Sequence, residues 1–269
     1  MHSKPTEQYL TKSKLDAGGR TRHPLSEILQ RSRDGAFVAD TLTRMVVTAW
    51  DLVSPSEFSG LFRRVRSHTM CSNARLRGLY QGITYVVINN VIGDVVECGC
   101  ARGGSAALMA LTLKQLEARR PLWLFDTFEG LPAPTSDDPD YEIADLFTGS
   151  CLGPIEEVQQ LFERLQVFEQ VHLVKGLFQE TLPRSDIRQI ALLHIDGDWY
   201  ESVKTCLDHL YDRVTPGGII QLDDYGYWKG ARKAVDEFLE RRSIDVPLKR
   251  LDYSGRWLQK PVSSASPHH

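Results

Sequence analysis

Three aspartates that follow two short apolar segments are well suited to hold a metal ion. Asp196 follows the segment 190–195, and Asp223 and Asp224 follow the segment 219–222. If these segments are neighbouring parallel strands, the three carboxylates lie together and repel one another unless a cation or a proton compensates. Oxygen ligands with no cysteine nearby in the sequence suit Mg²⁺ or Mn²⁺. Capping of the following helices is the structural alternative, and it explains one or two of these aspartates more readily than three.

A glycine turn upstream has the residues to bind a nucleoside. The segment 95–105 reads VVECGCARGGS, so an apolar run that ends in Glu97 enters a turn at Gly99. Ala101 stands where the dinucleotide fingerprint needs its second glycine, and Glu97 would repel a diphosphate but could accept from an ammonium group. Asp126, after the next apolar run, suits a ribose diol. A ligand with an ammonium group, a ribose and no phosphate is S-adenosylmethionine.

The elements that position these residues follow from the alternation of short apolar runs with amphipathic segments. This alternation predicts an α/β fold with a mostly parallel, doubly wound sheet, in which ligands bind beyond the carboxyl ends of the strands. The predicted strands lie at 95–96, 122–125, 172–174, 190–195 and 219–222, and the predicted helices at 42–52, 76–88, 106–116, 200–210 and 230–240.

Composition excludes several other classes of protein. The 269 residues carry a formal net charge of −3, which does not favour nucleic acid as a partner. No apolar run approaches the roughly 18 residues of a membrane span, and the polar start of the chain is not a secretory signal. Five cysteines without framework spacing indicate the reducing cytosol, so a cytoplasmic location is expected. We divide the chain into an N-terminal arm with helices (1–60), a main domain (61–260) and a disordered tail (261–269).

Short motifs in a consistent order, between about residues 60 and 240, resemble the macrocin O-methyltransferase family. They are TM at 69–70, GDVVECG at 93–99, RGG at 102–104, FDTFEGLP at 125–132, GLF at 176–178, HIDGDWY at 194–200, PGG at 216–218 and DDY at 223–225. Members of this family are Mg²⁺- and S-adenosylmethionine-dependent enzymes that methylate sugar hydroxyls, or related groups, on secondary metabolites. The resemblance implies a Rossmann-like class I methyltransferase fold and a homo-oligomer, such as a homodimer.

The resemblance also implies the residues of the site. Asp196, Asp223 and Asp224 would ligate the metal, and Glu97 and Asp126 would hold the cofactor. The residues implied nearby are Thr69, Met70, Gly99, Ala101, Ser105, Phe128, Phe178 and Gln179.

The general base is the one role for which this sequence departs from its family. Some members place a histidine base in the loop after the second strand, but the segment 137–150 contains none. Asp196, acting as ligand and base, is the first candidate, and an acidic residue of that loop is the second. His194 is the third, since a histidine inside an apolar strand is more often a core residue. The segment 133–154 is expected to form a lid over the acceptor site.

The sequence therefore predicts an Mg²⁺-dependent O-methyltransferase that acts on a hydroxyl group of a sugar or a glycosylated secondary metabolite. A metal beside a methyl donor can lower the pKa of that hydroxyl and fix its oxygen in line with the methyl group. A catechol-like aromatic acceptor is the alternative within the class, because it also presents adjacent oxygens. A nicotinamide-dependent oxidoreductase and a non-catalytic nucleoside-binding module are the alternatives outside it.

Overall fold

The computed structural model of the protein describes residues 35–262. Residues 263–269 of the tail expected at 261–269, and the first 34 residues of the expected arm, lie outside the described residues. None of the described helices has the length and apolar character needed to cross a membrane.

One sheet organises the described part of the chain. Its seven strands run in the order β3-β2-β1-β4-β5-β7-β6, and the first five are parallel to one another. The strands are β1 Asp94–Cys98, β2 Leu122–Asp126, β3 Val171–Lys175, β4 Ile190–Ile195, β5 Val214–Leu222, β6 Lys249–Arg250 and β7 Arg256–Gln259. The chain leaves β1 towards one edge and returns at β4 towards the other, so the reversal of strand order lies between β1 and β4, where such sheets bind ligands.

Helices cover both faces of this sheet. They are α1 Gly35–Val53, α2 Glu57–Val65, α3 Asn73–Ile88, α4 Gly104–Gln115, α5 Tyr141–Ala144, α6 Ile155–Leu165, α7 Phe178–Thr181, α8 Tyr200–Leu210 and α9 Lys229–Arg241. The five predicted strands lie within these bounds, and each of the five predicted helices is present, although the helix predicted at 106–116 ends at residue 115. Sequence reasoning missed α2, α5, α6 and α7, as well as the antiparallel pair β6 and β7.

Two apolar clusters hold the layers together, one on each face of the sheet. Along β4, Leu192 belongs to the cluster with α3 and α4, while Leu193 belongs to the cluster with α8 and α9. Every residue of β4 is buried, as expected for a central parallel strand covered on both faces. Because β4 is held on both faces, its carboxyl end has a fixed position in the sheet. The residues that follow β4 are positioned in the same way.

Candidate active site

A cavity of about 550 Å³ opens at the carboxyl ends of β1, β2 and β4. Ten of the predicted site residues line it: Thr69, Met70, Gly99, Ala101, Ser105, Asp126, Phe178, Gln179, Asp196 and Asp224. Four others do not line it and are buried: Glu97, Phe128, His194 and Asp223.

The glycine turn touches the end of β4 so closely that only glycine fits. Gly99 has φ +88°, and a Cβ atom there would lie 1.8 Å from the carbonyl oxygen of Asp196. The Asp196 N–H donates to the carbonyl oxygen of Cys98 at 2.9 Å, which joins the two strand ends. Because of this close approach, the turn and the first aspartate of the predicted metal site share one wall of the cavity.

Asp126 organises the turn as well as lining the cavity. Its carboxylate accepts from the N–H groups of Cys100 at 2.8 Å, Ala101 at 3.0 Å and Phe128 at 2.6 Å. Both oxygens are therefore used, but a carboxylate has about four acceptor positions. Asp126 can hold the turn and still accept from a ligand hydroxyl group.

Glu97 is fully buried, and only one of its oxygens has a partner. Oε1 lies 2.7 Å from His194 Nδ1, whereas Oε2 is the one carboxylate oxygen among the buried, described side chains that lacks a hydrogen bond. A buried carboxylate oxygen without a donor is costly. This orphaned oxygen fits the prediction that Glu97 accepts from a ligand ammonium group.

His194 links Glu97 to Asp223 across the sheet. Its Nε2 lies 2.9 Å from Asp223 Oδ1, and its ring is fully buried. Burial opposes protonation, yet the carboxylates of Asp223 and Glu97 raise the pKa of His194 well above its usual range. His194 is thus a core residue whose two ring nitrogens are both engaged by carboxylates.

Asp223 is surrounded by hydrogen-bond donors. Besides His194, its carboxylate accepts from Arg75 Nη1 at 2.8 Å, Gln221 Nε2 at 3.0 Å and Cys71 Sγ at 3.1 Å. Although burial opposes ionisation, Arg75 and His194 hold the pKa of Asp223 well below its usual range. Sequence reasoning missed Arg75, and its expectation of no cysteine near the aspartates is wrong, because the segment before α3 folds back and places Cys71 beside them.

The acidic residues that face the cavity form a group of their own. Oxygens of Asp196, Asp198 and Asp224 all lie within 4.8 Å of one another. Burial, followed by the neighbouring carboxylates, raises the pKa of Asp224 to about 6 and the pKa values of Asp196 and Asp198 well above the usual range. Asp198, which lies within the HIDGDWY motif, adopts φ +55° and was missed as a site residue.

The segment 133–154 is anchored over one side of the cavity. Asp138 Oδ1 accepts from the Tyr200 N–H at 2.7 Å, and Asp140 Oδ2 accepts from the Lys229 N–H at 3.2 Å. Both carboxylates are buried. No acidic residue of this segment lines the cavity, whereas Phe147 and Cys151 do.

Aromatic rings form a large part of the cavity wall. Phe147 and Trp228 meet edge to face with ring centroids 5.4 Å apart, and Phe37 meets Tyr253 at 5.1 Å. Tyr227 lines the cavity beside them. This wall offers ring faces and edges to a ligand that reaches the acidic group.

Comparison with known proteins decides the family. The family model of the macrocin O-methyltransferases matches residues 56–260. The chain belongs to the macrocin O-methyltransferase family. It is therefore an S-adenosylmethionine-dependent O-methyltransferase, and the nicotinamide-dependent and non-catalytic alternatives are excluded.

The relatives that the chain matches are named as O-methyltransferases. The chain is 36% identical over 199 residues to demethyldecarbamoylnovobiocin O-methyltransferase of Streptomyces niveus, covering 72% of this chain and 76% of the relative. It is 31% identical over 242 residues to mycinamicin III 3''-O-methyltransferase of Micromonospora griseorubida, covering 85% and 93%.

Solved structures confirm the class I methyltransferase fold. The structure of the O-methyltransferase NovP superposes with a TM-score of 0.69 at 36% identity, covering 72% of this chain and 83% of that chain. The calicheamicin methyltransferase CalS11 superposes with a TM-score of 0.59 at 22% identity, covering 81% and 91%. At that lower identity, the second likeness concerns the fold alone.

Proposed function

We propose that this member of the macrocin O-methyltransferase family methylates a sugar hydroxyl group of a natural product with the help of Mg²⁺. The observation that carries the proposal is the group of three carboxylates, Asp196, Asp198 and Asp224, on the wall of the cavity beside the glycine turn. Three carboxylates at this spacing need a compensating charge. The acceptor class rests on the names of the relatives: one is named for a rhamnosyl tetracenomycin, and two others for novobiocin and mycinamicin substrates.

The cofactor half of the cavity lies at the glycine turn. We assign the ribose contact to Asp126 and the ammonium contact to the free Oε2 of Glu97. Glu97 is buried and does not line the cavity. Besides Asp126, the predicted cofactor residues that line it are Thr69, Met70, Gly99, Ala101, Ser105, Phe178 and Gln179. Phe128 does not line it, and its N–H instead holds the Asp126 carboxylate.

Asp196 and Asp224 are the residues of the predicted metal set that face the cavity. Asp223, the third member, has both oxygens occupied by Arg75, Cys71, Gln221 and His194. Its place in the set stays a prediction, and the geometry favours Asp198 as the third carboxylate in contact with the ion. A bound Mg²⁺ would lower the pKa of the acceptor hydroxyl group and hold the hydroxyl oxygen in position.

Asp196 remains the first candidate for the general base. It lines the cavity together with Asp198 and Asp224, where a carboxylate can take the proton that the acceptor hydroxyl loses. His194 is shut off from the cavity by burial, and the acids of the segment 133–154 do not line it. We therefore assign the proton transfer to the acidic group. Asp198, which also lines the cavity, is the second candidate base in this group.

The experiment that tests the proposal is calorimetric titration of adenosylhomocysteine with and without Mg²⁺, with NAD as the control. We expect binding of adenosylhomocysteine and none of NAD. Mg²⁺ affinity is then measured for the wild type and for Asp224→Asn, Asp198→Asn and Asp223→Asn. A loss of at least ten-fold is expected for the first two variants and a smaller change for the third.

Turnover with glycosides that carry vicinal hydroxyl groups completes the test. Activity should disappear with EDTA and return with Mg²⁺. Unchanged turnover after complete removal of divalent ions would overturn the metal assignment while leaving the methyl-donor pocket intact. Methylation of catechols in preference to all the glycosides would overturn the acceptor class.

A further inference from the structure

The edge of the cavity beside the glycine turn carries positive charge. His68 and Arg102 line the cavity there, and Arg164 Nη2 lies 3.3 Å from His68 Nε2. Both arginines are exposed, whereas His68 is half-buried. We call these three residues the cationic rim. Within residues 35–262, neither guanidinium group of the rim forms an ion pair with a carboxylate, so its charge is available to a ligand.

The members of the cationic rim are close enough for their charges to interact. Burial, followed by the charges of Arg164 and Arg102, lowers the pKa of His68. Glu157 is the acid near them, and it raises this pKa by less than either arginine lowers it. His68 is therefore neutral near pH 7, and a neutral imidazole can donate one hydrogen bond to an anion. The rim thus offers an anion two permanent positive charges and a further donor.

The cofactor's own carboxylate belongs deeper in the protein than the cationic rim. It stands on the same carbon as the ammonium group, which we assign to the buried Glu97. Ser105, in the first turn of α4, is 3% exposed and lines the cavity. The N–H groups of a helix start suit a carboxylate. Because Arg102 and Arg164 are exposed, they are placed for a ligand that extends out of the cavity.

One wall of the cavity joins the acidic group to the cationic rim. Burial, followed by the charge of Asp198, raises the pKa of the Cys151 thiol to about 11, so this thiol lies beside the acidic group. Two residues further on, a Cβ atom at Gly153 would lie 2.8 Å from the Arg102 backbone nitrogen. Two residues of extended chain span at most about 7 Å. A sugar held at the acidic group can therefore reach the rim with a substituent a few bonds long.

We propose that the cationic rim binds a phosphate or carboxylate group of the acceptor, so that the favoured substrate is an anionic sugar derivative rather than a neutral glycoside. This inference rests on the proposed sugar acceptor. Guanidinium groups suit such ligands because their N–H groups match pairs of phosphate or carboxylate oxygens. The rim attracts the anionic group and the acidic group repels it. The two ends of the cavity therefore orient the acceptor.

The test compares kcat/KM for a panel of hexose 1-phosphates with that for the matching methyl glycosides. The wild type should prefer the phosphates by about ten-fold or more, as expected for a hydrogen bond between charged groups. Arg102→Gln should lose most of this preference through a higher KM for the phosphates. Arg119→Gln is the matched control, because it removes the same charge from an exposed position that does not line the cavity, and it should keep the preference.

The cofactor is the other source from which the rim could take its anion, and binding measurements distinguish the two. S-adenosyl-3-thiopropylamine is adenosylhomocysteine without its carboxylate. If Arg102→Gln weakens adenosylhomocysteine binding by about ten-fold or more but leaves the affinity for this analogue unchanged, the rim binds the cofactor and the proposal is overturned. Equal kcat/KM values of the wild type for the phosphates and the neutral glycosides would also overturn it.

Failure of the proposed sugar substrate would give a different result. If no sugar is methylated, calorimetric titration of the hexose 1-phosphates into protein saturated with adenosylhomocysteine still tests the rim. Binding that is lost in Arg102→Gln and kept in Arg119→Gln supports the anion site. Absence of binding to the wild type, or equal binding to Arg102→Gln, overturns it.

Discussion

Asp223→Ala should destabilise the protein strongly, whereas Asp224→Ala, at the neighbouring position, should have little effect on stability. The Asp223 carboxylate is fully buried and accepts from Arg75 and His194 at 2.8 and 2.9 Å. Removing it leaves the Arg75 guanidinium group and the His194 ring without their shared acceptor in the interior. Breaking a buried ion pair by deleting one partner costs about 3–5 kcal/mol, and we expect a loss of that size in the free energy of unfolding.

The assay is denaturation by guanidinium chloride, followed by fluorescence and circular dichroism. Asp224→Ala is the adjacent control. The Asp224 carboxylate accepts from the Asp198 N–H and otherwise faces acidic neighbours, so its removal should change stability by less than about 1 kcal/mol. The two positions are adjacent in the chain. A difference between their free energies of unfolding therefore reports the hydrogen bonds and ion pairs of Asp223, and not a general effect of changing this part of the chain.

Two results would refute this reasoning. A loss below about 1 kcal/mol for Asp223→Ala would mean that the surrounding charges do not depend on this carboxylate. The double variant Asp223→Ala, Arg75→Met should also be more stable than the sum of its single variants, since it removes the charge that the first change strands. If the losses in the free energy of unfolding of the two single variants simply add, Asp223 does not serve as the counter-charge of Arg75.

Three further substitutions probe the cavity wall. Gly99→Ala should lower the free energy of unfolding by about 3 kcal/mol or more, because its Cβ would lie 1.8 Å from the Asp196 carbonyl oxygen. Thermal unfolding measures this loss. A stability equal to that of the wild type would mean that the turn and the end of β4 are not in contact. Asp126→Asn should weaken adenosylhomocysteine binding about 10- to 100-fold in calorimetry, since a hydrogen bond to a charged acceptor contributes ~1.5–3 kcal/mol, and unchanged affinity would remove the residue from the cofactor site. Asp138→Ala should lower the free energy of unfolding by about 1 kcal/mol, because the Tyr200 N–H loses its acceptor. It should also raise KM for the acceptor while leaving the affinity for adenosylhomocysteine unchanged. Equal losses in acceptor and adenosylhomocysteine binding would contradict the prediction that the segment 133–154 is a lid over the acceptor site.

Much of the fold was predictable because its signals are local. The apolar run 190–195 is bounded by polar residues and is long enough for one buried strand, and the structure contains β4 at Ile190–Ile195. Helix α6 was missed although its buried residues Val158, Leu161, Phe162 and Leu165 have helical spacing. The two-residue strand β6 and the short β7 have no comparable pattern, since their pairing is antiparallel and depends on the edge that β5 presents.

The apolar runs of the chain were enough to predict which residues stand at the carboxyl ends of the parallel strands, and therefore that Glu97, Asp126 and the aspartates share one region. This follows because strand ends are set by local apolar length, and the ends of parallel strands meet at one edge. Which of these aspartates face the cavity could not be predicted in this way, because it depends on residues far away in the chain. Arg75 lies 148 residues before Asp223, and α3 places it against that carboxylate. Contacts between residues so far apart depend on the packing of whole elements, and for that reason the sequence could group the acidic residues but not assign their partners.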